Sequence, residues 1–236
     1  MKRKFGFTLA EVLITLAIIG VVASMTLPAL NTNIGAVRNR AALKKALGTL
    51  NNAVRMNEAN NGWNFSVGAG TEDAKCTRND RAENSTTLCG MFNDSLVGEN
   101  FIGFVGSGTP TNEAWRVVDD GNITYGSPER LLNYRLSDGT VIGLNGSMSS
   151  CTEDNWNAIR EANSGACTGY IDTNGVAGPN SVITCANGAA PTYIWDDPNA
   201  TCEVERNTSA DIFPIVFFDS TVQLASDAAI AYFNAR

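Results

Sequence analysis

One apolar segment near the start of the chain limits what this chain can fold into. It runs from Phe7 to Leu27, and its polar members are Thr8, Glu11, Thr15, Ser24 and Thr26. A helix of about 20 residues spans the ~30 Å hydrocarbon layer of a bilayer. The sequence therefore predicts a membrane-spanning helix over residues 7–30, preceded by a short leader at residues 1–6.

The charges before this segment predict its orientation. The leader contains Lys2, Arg3 and Lys4, and basic residues that flank a span tend to stay in the cytoplasm. The chain beyond residue 30 is then expected outside the cytoplasm. The alternative is an ordinary secretory signal peptide cut after the apolar run, for which Val22-Ala23-Ser24 is a loose match.

The remaining chain has the size and charge of one soluble domain. A length of 236 residues allows one sizeable domain plus an anchor. The net charge is −7, and it would be −10 without the leader. The large C-terminal part has no cluster of basic residues that would neutralise phosphates, so we expect no nucleic-acid partner.

Six cysteines predict disulfides in an oxidising compartment. They are Cys76, Cys89, Cys151, Cys167, Cys185 and Cys202. Structural zinc sites usually bring cysteines in close pairs and often use His, but the chain has no Cys-x-x-Cys pair and no His. The sequence leaves the connectivity open, although pairing of sequence neighbours closes the shortest loops. Free buried thiols are the alternative.

Glu11 is the residue that a plain anchor does not explain. A carboxylate near the centre of a spanning helix costs roughly 2.5 to 3.5 kcal/mol, and less toward an end. If the chain were cut after Gly6, the new amino group on Phe7 would lie one helical turn away. The terminal amine of a neighbouring subunit is then a suitable partner. Solvation of Glu11 at headgroup depth explains its position equally well.

The junction between leader and anchor reads Gly6-Phe7-Thr8-Leu9-Ala10-Glu11-Val12-Leu13-Ile14. It resembles the junction of type IV pilins and type II secretion pseudopilins, which carry a class III prepilin leader. The resemblance implies cleavage after Gly6 by prepilin peptidase, N-methylation of Phe7, and a role of Glu11 in subunit docking. Pro28 matches a family position where the helix kinks or melts on assembly.

The resemblance also implies partners, location and function. The expected partners are the prepilin peptidase and methylase, identical or related pilin subunits, and an inner-membrane assembly platform. The protein would cross the bacterial inner membrane once and later enter a periplasmic or cell-surface filament. Its function would be that of a structural subunit of a type IV pilus-like or type II secretion filament, the latter serving protein transport. The alternative is a minor pilin or a single-span, membrane-anchored binding or adhesion module.

The helix is predicted to continue beyond the membrane. Over residues 31–61, apolar residues recur at spacings near three, four and seven, at Val37, Leu43, Leu47, Leu50 and Val54. This amphipathic continuation should pack on the head, with its basic residues largely off the apolar stripe. Gly62 follows as a helix C-cap, because glycine readily adopts positive φ.

Residues 62–236 are expected to form a globular extracytoplasmic head of short strands and turns. Asp138-Gly139 between apolar flanks predicts a hairpin that pairs 131–136 with 140–144. Further strands are expected at 170–172 and 213–218, with a short helix at 227–233. The fold class is α+β and pilin-like: a long N-terminal helix packed on a small antiparallel sheet, with a disulfide-containing head.

A partial calcium motif lies in the head. Asp172 and Asn174 place oxygen side chains ahead of Gly175, as in loops that wrap Ca²⁺, so both are expected ligands. The motif lacks the bidentate Glu of an EF-hand, and a plain Asx turn is an equal alternative. Some pseudopilin-like proteins resemble this stretch, ending at the counterpart of Asp211. Here residues 181–210 intervene, which argues against a site that uses both halves.

Catalysis is not expected. Without His, the usual Ser-His and Cys-His nucleophile pairs cannot form, and neither a Gly-rich phosphate loop nor a Walker Lys is present. Carboxylate pairs such as Asp119-Asp120 and Asp196-Asp197 are the material of glycoside cleavage. They are more typical of solvated turns.

Overall fold

The structure is a computed structural model. It describes residues 8–67, 79, 81–83, 86–96, 100–105, 131–145, 150–154, 167–175, 181–186, 202–205, 208 and 210–235.

A single long helix, α1, runs from Leu9 to Asn61. Thr8 caps its start, and Gly62 caps its end with a left-handed φ of 76° while its N–H donates to the carbonyl of Glu58 at 2.9 Å. The predicted glycine C-cap is therefore confirmed. The helix is continuous through position 28.

The first part of α1 stands clear of the head. Residues Leu9–Thr26 have a mean hydropathy of 2.2, none of them is buried, and their length and composition suffice to cross a membrane. The second part packs on the head through Leu43, Leu50 and Val54, each fully buried. The predicted amphipathic packing is thus confirmed for this stretch.

The assignment of Val37 to the buried stripe is wrong. Its side chain is 63% exposed, whereas Ala36 and Leu43 are buried. Each residue turns about 100° around a helix, so the six-residue step from Val37 to Leu43 puts the two on different faces. Val37 belongs to the face of α1 that points away from the head.

In the described part of the chain, six strands form one antiparallel sheet in chain order. They are β1 (Asn100–Val105), β2 (Leu131–Arg135), β3 (Val141–Asn145), β4 (Thr168–Asp172), β5 (Ile212–Phe218) and β6 (Thr221–Leu224). Two short helices complete the described head: α2 (Leu88–Ser95) and α3 (Asp227–Asn234). The α+β architecture, with a long helix on an antiparallel sheet, is as predicted.

The Asp138-Gly139 hairpin is confirmed. It joins β2 to β3, Gly139 has a φ of 91°, and the N–H of Leu136 donates to the carbonyl of Thr140 at 2.8 Å. Lys45 on α1 reaches the turn and pairs with Asp138 at 2.7 Å. The ion pair ties the turn to the helix, although pairs of this exposure contribute little to stability.

Aromatic side chains fill the space between helix and sheet. Phe65 lies 4.9 Å from Phe217 and 6.2 Å from Phe92, measured between ring centroids. Phe92 in turn lies 5.8 Å from Tyr134. All four rings are fully buried, so α2, β2 and β5 share one core with the segment after α1.

Disulfides join neighbouring segments of the head. Cys151 bonds to Cys167, and Cys185 bonds to Cys202. Both bonds join sequence neighbours, the pairs that close the shortest loops. Cys89 is also disulfide-bonded, while Cys76 lies outside the described residues.

Candidate assembly site

The proposed processing residues precede the described chain. Gly6 and Phe7 lie outside the described residues, and Thr8 is the first residue with a defined position. Thr8 is extended, with φ −78° and ψ 151°, and α1 begins immediately after it. The helix therefore starts at the third residue beyond the predicted cut.

Thr8 and Glu11 bind each other in a capping box. The Glu11 Oε2 atom accepts hydrogen bonds from the Thr8 N–H and the Thr8 hydroxyl, both at 2.8 Å. The Glu11 N–H donates to the Thr8 Oγ1 atom at 3.3 Å. These bonds satisfy helix N–H groups that have no partner within the helix.

The capping box gives Glu11 a partner within its own chain. A second subunit is the partner that charge alone predicts, yet Thr8-x-x-Glu11 is itself a helix-start signature. The Thr8 N–H belongs to the amide that links residues 7 and 8, so a cut after residue 6 leaves it in place. One carboxylate oxygen is thus held by the cap, and Glu11 remains exposed.

Pro28 removes one backbone hydrogen bond from α1, and two side-chain hydroxyls lie near this position. Proline has no N–H, so it cannot donate to the carbonyl of Ser24 four residues earlier. Nearby, the Ser24 hydroxyl donates to the Val21 carbonyl at 2.8 Å, and the Thr26 hydroxyl to the Val22 carbonyl at 3.0 Å. Kinking or melting at Pro28 on assembly stays a prediction.

Three hydrogen bonds fix α1 to the head where it leaves the apolar part. The Asn39 side chain donates to the Ala210 carbonyl at 2.9 Å, and Arg40 Nε donates to the Tyr232 carbonyl at 2.9 Å. The Tyr232 hydroxyl donates back to the Ala36 carbonyl at 2.8 Å. The Arg40 guanidinium also lies 4.8 Å from the centre of the Tyr232 ring. This clamp of Ala36, Asn39, Arg40 and Tyr232 marks the base of the head.

The candidate calcium loop forms an Asx turn at the end of β4. The Asp172 Oδ1 atom accepts hydrogen bonds from the N–H groups of Asn174 at 3.1 Å and Gly175 at 2.9 Å. Gly175 has a φ of 64°, which an L side chain rarely adopts. The turn that the sequence offered as the alternative is present, and Ca²⁺ binding at Asp172 and Asn174 stays a prediction.

Asp211 lies beside this turn. The sequence alone argues against a site that uses both Asp172 and Asp211, because residues 181–210 precede Asp211 as an insertion. Asp172 pairs with Ile212 in the β4–β5 register, and the Thr173 N–H donates to the Asp211 carbonyl at 2.8 Å. The Asp211 Oδ1 atom accepts from the Ser181 N–H at 2.6 Å. The pairing of β4 with β5 therefore places Asp211 next to the turn, despite the insertion of residues 181–210.

The two carboxylates are buried and repel each other. Burial, together with the charge of Asp211, raises the pKa of Asp172 to about 7, against the lowering effect of its two backbone hydrogen bonds. Asp172 is 3% exposed and Asp211 is fully buried. Ca²⁺ prefers carboxylate oxygens. Asp172 and Asp211 together provide two carboxylates, whereas Asp172 and Asn174 provide one.

In a second group of possible metal ligands, the two cysteines already form a disulfide. The sulfur atoms of Cys185 and Cys202 and the carboxylate of Asp227 lie within 4.8 Å of one another. The sulfurs are joined as a disulfide, and metal ligation requires a thiolate. The group is therefore structural in this redox state.

The comparisons with known proteins identify the start of the chain. No curated protein and no solved structure matches the chain. Residues 1–27 match the family model described as "Prokaryotic N-terminal methylation motif". This stretch contains the leader, the capping box and the apolar part of α1 up to the residue before Pro28. The chain therefore carries the class III prepilin leader of type IV pilins and pseudopilins.

Proposed function

We propose that this protein is a structural subunit of a type IV pilus-like or type II secretion filament. The observation that carries the proposal is the coincidence of the methylation motif with an apolar helix end that the head leaves uncovered. In water that surface would be unfavourable by roughly 25 cal/mol for each Å² of apolar area. A membrane covers it before assembly, and the helices of other subunits cover it afterwards.

The leader motif supports the following proposed sequence of events. The basic leader, residues 1–6, holds the start of the chain in the cytoplasm, and a prepilin peptidase cuts after Gly6. Phe7 is then N-methylated. Glu11, fixed by Thr8, presents its second carboxylate oxygen to the terminal amine of a neighbouring subunit. An inner-membrane assembly platform would move the subunit from the membrane into the filament.

Intact-mass analysis of the membrane-extracted protein tests the processing step. We expect a chain that begins at Phe7 and carries one additional methyl group. A chain that still begins at Met1, or one that begins after Ala23, would contradict the proposal. Substitution of Gly6 by a bulky residue should leave the leader attached. Gly20→Ala should be processed normally, because a Cβ atom at position 20 would have no neighbour within 4 Å.

Substitution of Glu11 separates a filament subunit from an anchored binding module. Glu11→Ala should abolish sheared filaments, because the neighbouring amine loses its carboxylate partner. Glu203→Ala is the matched control, since Glu203 is an exposed acidic residue of the head. If Glu11→Ala left filaments and secretion unchanged while changes in the head abolished adhesion, the single-span binding module would be the better assignment.

A further inference from the structure

The charge of the chain is divided between α1 and the head. Residues 12–57 contain no Asp or Glu, but they carry Arg38, Arg40, Lys44, Lys45 and Arg55. Residues 62–236 carry 22 acidic residues against 9 basic ones. Surfaces of opposite sign steer association and fix the register of two partners. A second copy of this chain therefore offers each subunit a complementary partner.

The cations of α1 differ in the contacts they make within their own chain. Lys45 pairs with Asp138, Arg40 belongs to the clamp with Tyr232, and Lys44 lies 5.0 Å from the centre of the Phe233 ring. Arg38 is exposed and has no ion pair or hydrogen bond among the described residues. Arg38 is thus the available cation nearest to the apolar part of the helix.

Apolar side chains adjoin Arg38 on the same face. Ile34 is 58% exposed and Val37 is 63% exposed, while Ala36 on the opposite face is buried by the head. A positive charge beside two uncovered aliphatic side chains is a surface that a protein partner covers better than water does. Ile34, Val37 and Arg38 are called the basal patch below.

Acidic side chains gather at the other end of the head. The Ser220 hydroxyl donates to the Glu58 carboxylate, next to Asp219, and the Glu153 N–H donates to the Asp219 Oδ2 atom at 3.2 Å. Glu153 and Asp154 are exposed. Glu58, Glu153, Asp154 and Asp219 therefore form one group, called the distal acidic group below, where α1 ends.

We propose that the basal patch of one subunit docks on the distal acidic group of the next, with Arg38 facing Glu153 and Asp154. Arg38 precedes Glu58 by 20 residues, which is about 30 Å along the helix axis. A parallel copy displaced by that length brings the two groups to the same level. Such a contact joins different surfaces of identical chains, so it repeats without closing and builds a filament. The inference rests on the proposed function and specifies its subunit contact.

Charge reversal in the full chain, expressed with its assembly machinery, tests the contact. Arg38→Glu alone, and Glu153→Lys with Asp154→Lys, should each lower the yield of sheared filaments at least about tenfold, because like charges then face each other. The three substitutions together should restore most of the yield. The control is Glu203→Lys with Glu205→Lys. Both residues are exposed. They follow Cys202, whose sulfur lies within 4.8 Å of the Asp227 carboxylate in α3, at the base of the head.

Each outcome of these experiments supports or overturns the contact. Unchanged yield in both reversed variants, with normal wild-type filaments, would overturn the contact but leave the proposed function intact. Loss in Arg38→Glu without rescue by the acidic reversals, together with weaker binding of the extracted protein to phosphatidylglycerol vesicles, would assign Arg38 to lipid headgroups instead. Absence of filaments in the processed wild type would overturn the proposed function itself. Unchanged thermal unfolding of the extracted variants would exclude a folding defect.

Discussion

At the scale of single residues, Thr8 determines how Glu11 can act. A carboxylate that is free to rotate would sample several rotamers, and an incoming amine would have to fix it. The hydrogen bonds from the Thr8 N–H and hydroxyl hold one oxygen at the helix start. The helix N-terminus itself also favours a negative charge at this position. Glu11 is thus oriented before any partner arrives.

Removal of the Thr8 hydroxyl should loosen the start of α1. Thr8→Val eliminates the hydroxyl bond to Glu11 and the acceptor of the Glu11 N–H, and loss of such a cap costs about 1 kcal/mol. Amide hydrogen exchange in detergent micelles should become about fivefold faster at Glu11, whose N–H donates to the Thr8 hydroxyl. Thr15→Val is the control, because Thr15 bonds only to helix carbonyls of Glu11 and Val12. Equal exchange in the two variants would show that the cap contributes nothing.

At the scale of elements, β3 and β4 approach each other closely at Gly143. The ring of Tyr170 lies against Gly143, in the space that a Cβ atom at position 143 would occupy. The two residues are paired across the strands. Tyr170 is buried, and burial raises the pKa of its hydroxyl well above the ordinary value. Position 143 therefore accepts glycine only.

Gly143→Ala should destabilise the head. The added methyl group overlaps the Tyr170 ring, and overpacking of this kind costs about 1–3 kcal/mol. The midpoint of urea unfolding, followed by Trp fluorescence of the detergent-solubilised chain, should fall accordingly. Gly48→Ala makes the same change on the exposed face of α1, where nothing lies within 4 Å, and should raise stability by up to ~1 kcal/mol. Similar effects of both substitutions would contradict the assigned contact.

The turn after β4 should make stability depend on pH. The folded pKa of Asp172 is about 7 against an ordinary value of 3.8, so the folded chain binds the proton more tightly than the unfolded chain. Protonation of Asp172 contributes its full share to the free energy of unfolding below about pH 4. This share, about 4 kcal/mol, is lost as the pH rises toward 7. Asp172→Asn should abolish this decline in urea unfolding with EDTA present, whereas Asp154→Asn, at an exposed position, should retain it. A wild-type curve without the decline would contradict the buried pair.

The same variants test the calcium prediction. At pH 8 the Asp172 carboxylate is above its pKa of about 7, and Ca²⁺ would offset its charge beside Asp211. We expect added Ca²⁺ to raise the unfolding midpoint of the wild type and not that of Asp172→Asn. No shift in the wild type would leave the loop as a plain Asx turn.

At the scale of the whole molecule, the parts that local chemistry determines were predictable. Glycine at 62 and Asp138-Gly139 mark backbone conformations that few residues adopt, and the apolar run is a matter of composition. The capping box, too, has a sequence signal in the spacing of Thr8 and Glu11. The approach of Asp211 to Asp172 was not predictable, because it depends on the register of β4 and β5 across an insertion. β6 and α2 are too short for a reliable pattern.

The clamp at the base of the head has a consequence for the order in which the chain folds. Tyr232 bonds to Ala36 and Arg40 across sequence separations of 196 and 192 residues. Contacts that join such distant segments form slowly, because a long loop must close first. Helix α1 is synthesised early, but the surface of the head on which it packs is complete only after α3 has been synthesised. Until then the face of α1 that packs on the head lacks the cover that α3 provides, so this part of the helix completes its packing late.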